Sequence, residues 1–196
     1  MATPLVGDVR RVVSPITTTE PIEPTFQGTR VAAVLVAVAD GEHGAEVLLT
    51  RRSMLVGSHK GQVSFPGGRI DEGERVVDAA VREAHEEVGL DPELPQPFGE
   101  LSHVFTDVSN SYIVPVVAAV ASPLALQPTS TEVTRAFWVP LTAFASPGVH
   151  RVEWWTRGGR SHEMHFYDVA DENVWGLTAT IITELLALLT PTPHAG

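Results

Sequence analysis

The chain has 196 residues, 43% of them apolar, and carries 24 Asp and Glu against 13 Lys and Arg for a net charge of −11. That apolar content excludes a mini-protein or a disordered tail, and the repulsive field of so many acids excludes general binding to nucleic acid phosphates. Cysteine is absent, which rules out disulfides, thiolate zinc sites and a cysteine nucleophile and fits a reducing, cytoplasmic compartment.

In chain order, residues 1–28 mix Pro, Thr and Glu without sustained periodicity and are expected to form an arm that packs on the domain or hangs off it. The domain is expected over 29–190, with 191–196 as a tail. Val31 to Ala39 and Glu46 to Arg52 are predicted strands of a hairpin, joined by the turn-rich Asp40-Gly41-Glu42-His43-Gly44. After a glycine-rich passage, Glu74 to Val88 is a predicted helix closed by Gly89.

Further strands are predicted at Phe98 to Phe105, Tyr112 to Ala121, Val133 to Val139, Val152 to Thr156 and Glu163 to Val169, before a final helix from Val174 to Leu189. Strands and a few helices without regular βαβ alternation predict an α+β fold with a mixed sheet. The longest apolar runs, Val31 to Ala39 and Tyr112 to Ala121, reach about half the roughly 20 residues a helix needs to cross a bilayer. Arg10 and Arg11 are not followed by an apolar run, so neither a signal peptide nor a membrane partner is expected.

Nine of the 24 acids fall between Asp71 and Glu93, with Arg75 and Arg82 among them. On a helix Glu83, Glu86 and Glu87 converge on one face, and Val77, Val81, Ala84 and Val88 form a second stripe roughly 130° away, expected to be the buried side. Three crowded carboxylates repel one another unless a cation sits among them, and oxygen ligands select Mg²⁺ or Mn²⁺ over Zn²⁺ or iron. The alternative is a solvated acidic face. Immediately upstream, Phe65-Pro66-Gly67-Gly68 carries paired glycines that let backbone approach a ligand without side-chain obstruction.

From Gly68 to Leu90 the chain runs glycine, five residues, Glu74, seven residues, then Arg82-Glu83-Ala84-His85-Glu86-Glu87-Val88-Gly89-Leu90. This 23-residue pattern resembles the Nudix box at every defined position, with Ala84 a small occupant of an aliphatic site. The resemblance implies a Nudix fold, a mixed sheet between helices, and hydrolysis of a nucleoside diphosphate linked to another group. It also implies that Glu83, Glu86 and Glu87 with the Gly68 carbonyl are metal ligands, that Arg82 orients the carboxylates, and that Glu74 serves the loop and helix start. Such a site activates a bound water against phosphorus. Glu83 and Glu132 are the candidate bases, Glu132 being read first as an exposed turn acid.

A second segment, Leu48-Leu49-Thr50-Arg51-Arg52-Ser53 followed by His59-Lys60-Gly61-Gln62-Val63-Ser64-Phe65-Pro66-Gly67-Gly68, resembles the signature of the coenzyme A pyrophosphatase branch of that family. Weaker likeness continues in Asp107 to Val117, Phe137 to Leu141 and Val174 to Ala179. The implied reaction is cleavage of CoA to 3′,5′-ADP and 4′-phosphopantetheine. Arg52, His59, Lys60, Gly67 and Gly68 are the expected substrate contacts, Arg52 rather than Arg51 because adjacent strand residues face opposite ways. Gly57 stands where the branch carries an arginine. Other Nudix substrates (ADP-ribose, NADH or a nucleotide triphosphate) and a silent nucleotide-binding domain are the alternatives. The expected partners are a small nucleotide, CoA first, and at most a second copy in a homodimer. His150, His162 and His165 are expected to be surface or hydrogen-bonded residues rather than a metal cluster, and Trp154-Trp155 and Phe166-Tyr167 core or interface aromatics.

Overall fold

A computed structural model describes residues 3–18, 29–55, 60–106, 110–157 and 159–190. Strands β1 (Arg30–Gly41) and β2 (Gly44–Arg52) form the expected hairpin, with the turn shortened to Glu42-His43. They stay paired only from Val38 and Val47 up to that turn. Toward their other ends they diverge, and the chain from 63 to 69 fills the fork, β3 (Val63–Ser64) pairing with β2 and β4 (Gly67–Arg69) with β1. The Leu35 N–H donates to the Pro66 carbonyl at 2.8 Å and ties the glycine loop into this fork.

On its other side β1 runs parallel to β7 (Ser111–Val120), which pairs antiparallel with β5 (Gln96–Glu100) and β6 (Val104–Thr106). Strand β8 (Val133–Pro140) pairs with β2. Among the described residues the sheet therefore has eight strands and is mixed, as expected. A second antiparallel sheet holds β9 (His150–Arg157), β10 (Arg160–Val169) and β11 (Glu172–Trp175).

Side-chain alternation divides the core between two faces. Ala33, Leu35, Ala37 and Ala39 of β1 join Val114, Val116 and Ala118 of β7 beneath helix α2 (Val76–Val88). Val36 and Val38 face the other way, toward helix α4 (Leu177–Leu189) and helix α1 (Val6–Val12). Burial on both faces explains why Val31 to Ala39 is an unbroken apolar run rather than an alternating one. Among the described residues, no helix is long and apolar enough to cross a membrane.

Three expectations about elements are corrected. The predicted strand from Phe98 to Phe105 is two, broken where Leu101 donates to the Pro115 carbonyl at 3.1 Å, because Pro115 has no N–H to continue the ladder. The final helix starts at Leu177 rather than Val174: Val174 and Trp175 pair with Tyr167 and Phe166, and Gly176 turns the chain with φ of 64°. The N-terminal segment contains a helix despite its lack of sustained periodicity. Its Val6 N–H donates to Asp40 at 2.8 Å, the Ala45 N–H donates to the Pro4 carbonyl at 2.7 Å, and Val9 is fully buried. Val9→Ala is expected to cost about 2 kcal/mol of stability in denaturant unfolding, against nothing measurable if this segment did not belong to the cooperative unit.

Candidate active site

Helix α2 begins two residues later than predicted because Glu74 is engaged in the preceding turn, accepting the Asp71 N–H at 2.9 Å. It ends as expected at Gly89, whose left-handed backbone (φ 70°) lets its N–H close on the His85 carbonyl at 2.9 Å. The expected stripe of Val77, Val81, Ala84 and Val88 packs on the core, but burial extends beyond it to a carboxylate. Val76, Ala79, Ala80, Ala84, Glu87 and Val88 are buried, while Val77 and Val81 are partly exposed. Val76, Ala80, Glu83 and Glu87 follow one another at helical spacing, so the buried stripe begins apolar and turns acidic. The carboxylates are aimed at the sheet, over the fork holding the glycine loop.

Gly68 lies directly against the Glu83 carboxylate, where a Cβ would collide with that carboxylate. Glu87, 6% exposed, accepts the Gly67 N–H at 3.3 Å. Gly67 itself is required by close approach, since a Cβ there would run into the Ala33 carbonyl and the Val34 backbone. Glu86 sits at the exposed outer side of the group.

Arg82 connects them. Its Nε and Nη2 form a bidentate pair with Glu74 at 2.8 and 3.0 Å, Nη2 also reaches the Arg69 carbonyl at 2.9 Å, and Nη1 reaches Glu83 at 3.0 Å and Glu86 at 3.3 Å. One guanidinium thus links the helix, the loop and two of the three glutamates, a geometry its planar fork allows and an ammonium does not. The Arg82 hydrogen bond holds the Glu74 carboxyl below its ordinary range, and Arg82 is itself held more firmly protonated by Glu74.

Burial pushes the Glu83 carboxyl up despite Arg82. Burial likewise pushes Glu87 up to about 7, against the opposing pull of the Gly67 N–H and Arg52, with Glu83 and Glu132 adding repulsion. A half-buried and a buried carboxylate side by side call for a cation beyond those the chain supplies.

Arg52 answers in part. A bulge between Arg51 and Arg52 interrupts the β2–β8 register, and the two side chains diverge as expected. Arg51 reaches Glu172 at 3.3 Å, whereas Arg52 reaches Glu132 at 2.8 Å and approaches Glu87 at 3.8 Å. Lys60 is exposed in the turn before β3. His59 and Gly57 lie outside the described residues.

Among the described residues no three His, Asp or Glu side chains stand closed around one point; the glutamate oxygens are turned onto Arg82, the Gly67 N–H and Arg52. The donor set nevertheless fits a hard divalent ion. Every donor is oxygen, two carboxylates are withdrawn from water, and Gly68 leaves its carbonyl side clear of a Cβ.

Sequence reasoning missed Thr129, whose N–H donates to the Glu87 carbonyl at 3.0 Å and whose hydroxyl donates to the Glu86 carbonyl at 2.7 Å. Its only signal is a Ser/Thr-rich turn, Thr129-Ser130-Thr131. Away from the site, His150 and His165 share a hydrogen bond at 2.9 Å and His162 is exposed. Phe166 and Tyr167 are buried, whereas Trp154 and Trp155 are 67% and 45% exposed, so of the two expected placements, core or interface, that pair does not take the core. They lie near the far end of the β9–β10 hairpin, beyond the main core.

A family model described as NUDIX domain matches residues 28–158. The chain is 38% identical to the mitochondrial coenzyme A diphosphatase NUDT8 of Homo sapiens over 165 residues, covering 82% of this chain and 70% of that protein. It is 37% identical to the Nudix hydrolase NudL of Pectobacterium atrosepticum over 166 residues, covering 84% and 85%. Among solved structures, the Nudix hydrolase RenU of M. smegmatis matches with a TM-score of 0.52 and 28% identity over 68% of this chain and 81% of that one. With the family model spanning most of the chain and the glutamate helix seated over its glycine loop, this protein belongs to the Nudix hydrolase family.

Proposed function

We propose that this Nudix pyrophosphatase hydrolyses the diphosphate of coenzyme A or a CoA derivative to 3′,5′-ADP and 4′-phosphopantetheine. The observation that carries the proposal is where the described parts of the segment resembling the CoA branch lie: residues 63–68 fill the fork beneath the glutamate helix, and Arg52 at the end of β2 comes to 3.8 Å from Glu87. The identity to a protein named for CoA diphosphatase activity supports the same substrate.

Glu83, Glu86, Glu87 and the Gly68 carbonyl would hold Mg²⁺ or Mn²⁺, which supplies charge neutralisation at the diphosphate and acidifies a coordinated water. The chain's own residues do the rest. Arg82 fixes Glu83 and Glu86 relative to the loop. Gly67 lets β4 pass close to β1, and Gly68 lets the loop lie directly against the Glu83 carboxylate. Arg52, with Lys60 on the neighbouring turn, offers donors to phosphate oxygens. Glu83, lying against Gly68 and held by Arg82 at 3.0 Å, is the side chain we assign to accept the proton of the attacking water.

A product assay with Mg²⁺ and Mn²⁺ across CoA, dephospho-CoA, ADP-ribose, NADH and deoxynucleotide triphosphates tests the proposal. CoA is expected to give the highest kcat/KM. Dephospho-CoA should fall about ten- to a hundredfold below it, the worth of one charge-assisted hydrogen bond to the 3′-phosphate. A higher kcat/KM for ADP-ribose or NADH than for CoA refutes the substrate and leaves the Nudix chemistry intact.

A further inference from the structure

The turn at residues 129–132 touches both sides of the site. At one end Thr129 satisfies carbonyls of the last turn of α2, which have no intrahelical partners. At the other, the Glu132 carbonyl accepts the Ser53 N–H at 2.7 Å while its carboxylate accepts Arg52 Nη2 at 2.8 Å. One short turn therefore grips the end of the glutamate helix and the end of β2.

Arg52 lies between two carboxylates with unequal claims on it. Glu132, its side chain 56% exposed, has the close contact, whereas the buried Glu87, with far less water to solvate it, is 1 Å further off at 3.8 Å. The Arg52 Nε is buried and makes no hydrogen bond among the described residues. In a poorly solvated site an unpaired donor and a nearby carboxylate attract strongly. The closer contact, to Glu132, lies on the outer side of the guanidinium.

We infer that Glu132 is a positioning residue that acts through Arg52: it holds the guanidinium off Glu87, keeping that carboxylate available to the metal ion and the remaining Arg52 donors available to the substrate diphosphate. The inference rests on Glu83, Glu86 and Glu87 being the metal site. It gives Glu132 a role other than general base. Without Glu132, Arg52 collapses onto Glu87 and competes with the ion for the same oxygens.

The test is a double-mutant cycle on the full chain, with Mn²⁺ binding followed by electron paramagnetic resonance and calorimetry in wild type, Glu132→Gln, Arg52→Gln and the double variant. Glu132→Gln is expected to weaken Mn²⁺ binding about tenfold, and to do so within about twofold of nothing once Arg52 is already Gln. With substrate, the Glu132→Gln loss should fall on KM rather than kcat, with the pH profile unmoved. An equal loss of Mn²⁺ affinity in both backgrounds overturns the inference, because Glu132 then acts by its own charge or as a ligand; so does unchanged affinity in the single variant. A kcat loss of about a hundredfold or more, with the acidic limb of the pH profile gone in both backgrounds, assigns Glu132 as the base instead. Failure of the metal-site assignment is separately visible, as Mn²⁺ binding to the wild type that survives Glu87→Gln.

Discussion

Glu87→Gln is expected to lower turnover by about a hundredfold or more while making the metal-free protein more stable, two effects of opposite sign from one atom pair. The loss of activity follows from removing a charged oxygen ligand that the neutral amide replaces poorly. The gain in stability follows from the environment of that carboxylate, which is 6% exposed and pushed up to about 7 chiefly by burial. Between about pH 4.5 and 7 the folded state holds a proton here that the unfolded chain has released, so wild-type stability falls as pH rises through this window. The full loss above pH 7 is on the order of 3 kcal/mol, and Gln at this position does not incur it. Urea unfolding in a chelator at pH 5 and pH 8 checks the sign: the wild type should weaken between the two by clearly more than the variant, in which only the raised Glu83 still acts in that direction at this site. Added Mn²⁺ should restore the wild type at pH 8, because binding to the folded state alone stabilises it. Identical pH dependence in the two proteins would remove burial of Glu87 from the account.

The contrast between expected and observed burial of this helix shows where sequence stops being informative. Glu83, Glu86 and Glu87 are related by helical spacing, so their sharing a face was legible, as was the stop at Gly89. The direction of that face was not. A carboxylate facing solvent and one pressed into a sheet leave the same letters, and the stripe of Val77, Val81, Ala84 and Val88, which does pack on the core, gives no sign that Glu87 is buried beside it. The sheet decides it: the fork between β1 and β2 admits a glycine loop that presents N–H and carbonyl groups, giving acidic side chains something polar to meet. The pairing of Arg52 with Glu132 was hidden for another reason. The two are 80 residues apart and meet only because β8 returns to the edge of β2. Likewise Gly176 separates a strand from a helix inside a segment whose apolar spacing reads as helix throughout.

Gly68→Ala should abolish most activity with little change in fold, and its neighbour should do the reverse. An added methyl at 68 lands on the Glu83 carboxylate. The backbone there is fixed by pairing with Ala33 of β1, so it is the carboxylate that must move. Turning Glu83 away forfeits its 3.0 Å bond to Arg82 and, on the proposed function, withdraws one oxygen donor from the metal ion together with the proposed proton acceptor. A flexible carboxylate yields cheaply, so the expected stability change is within about 1 kcal/mol while turnover falls by about a hundredfold. At Gly67 a methyl meets the Ala33 carbonyl and the Val34 backbone inside the sheet, which cannot yield without parting β4 from β1. Gly67→Ala is therefore expected to cost several kcal/mol, about 2 to 4, and to reduce the yield of folded protein rather than the turnover of what folds. Circular dichroism melts beside Mn²⁺ titrations separate the two outcomes. Should Gly68→Ala bind Mn²⁺ and turn over substrate as the wild type does, the close packing of Gly68 on Glu83 would be irrelevant to catalysis, and the glycine would be needed only for the path of the loop.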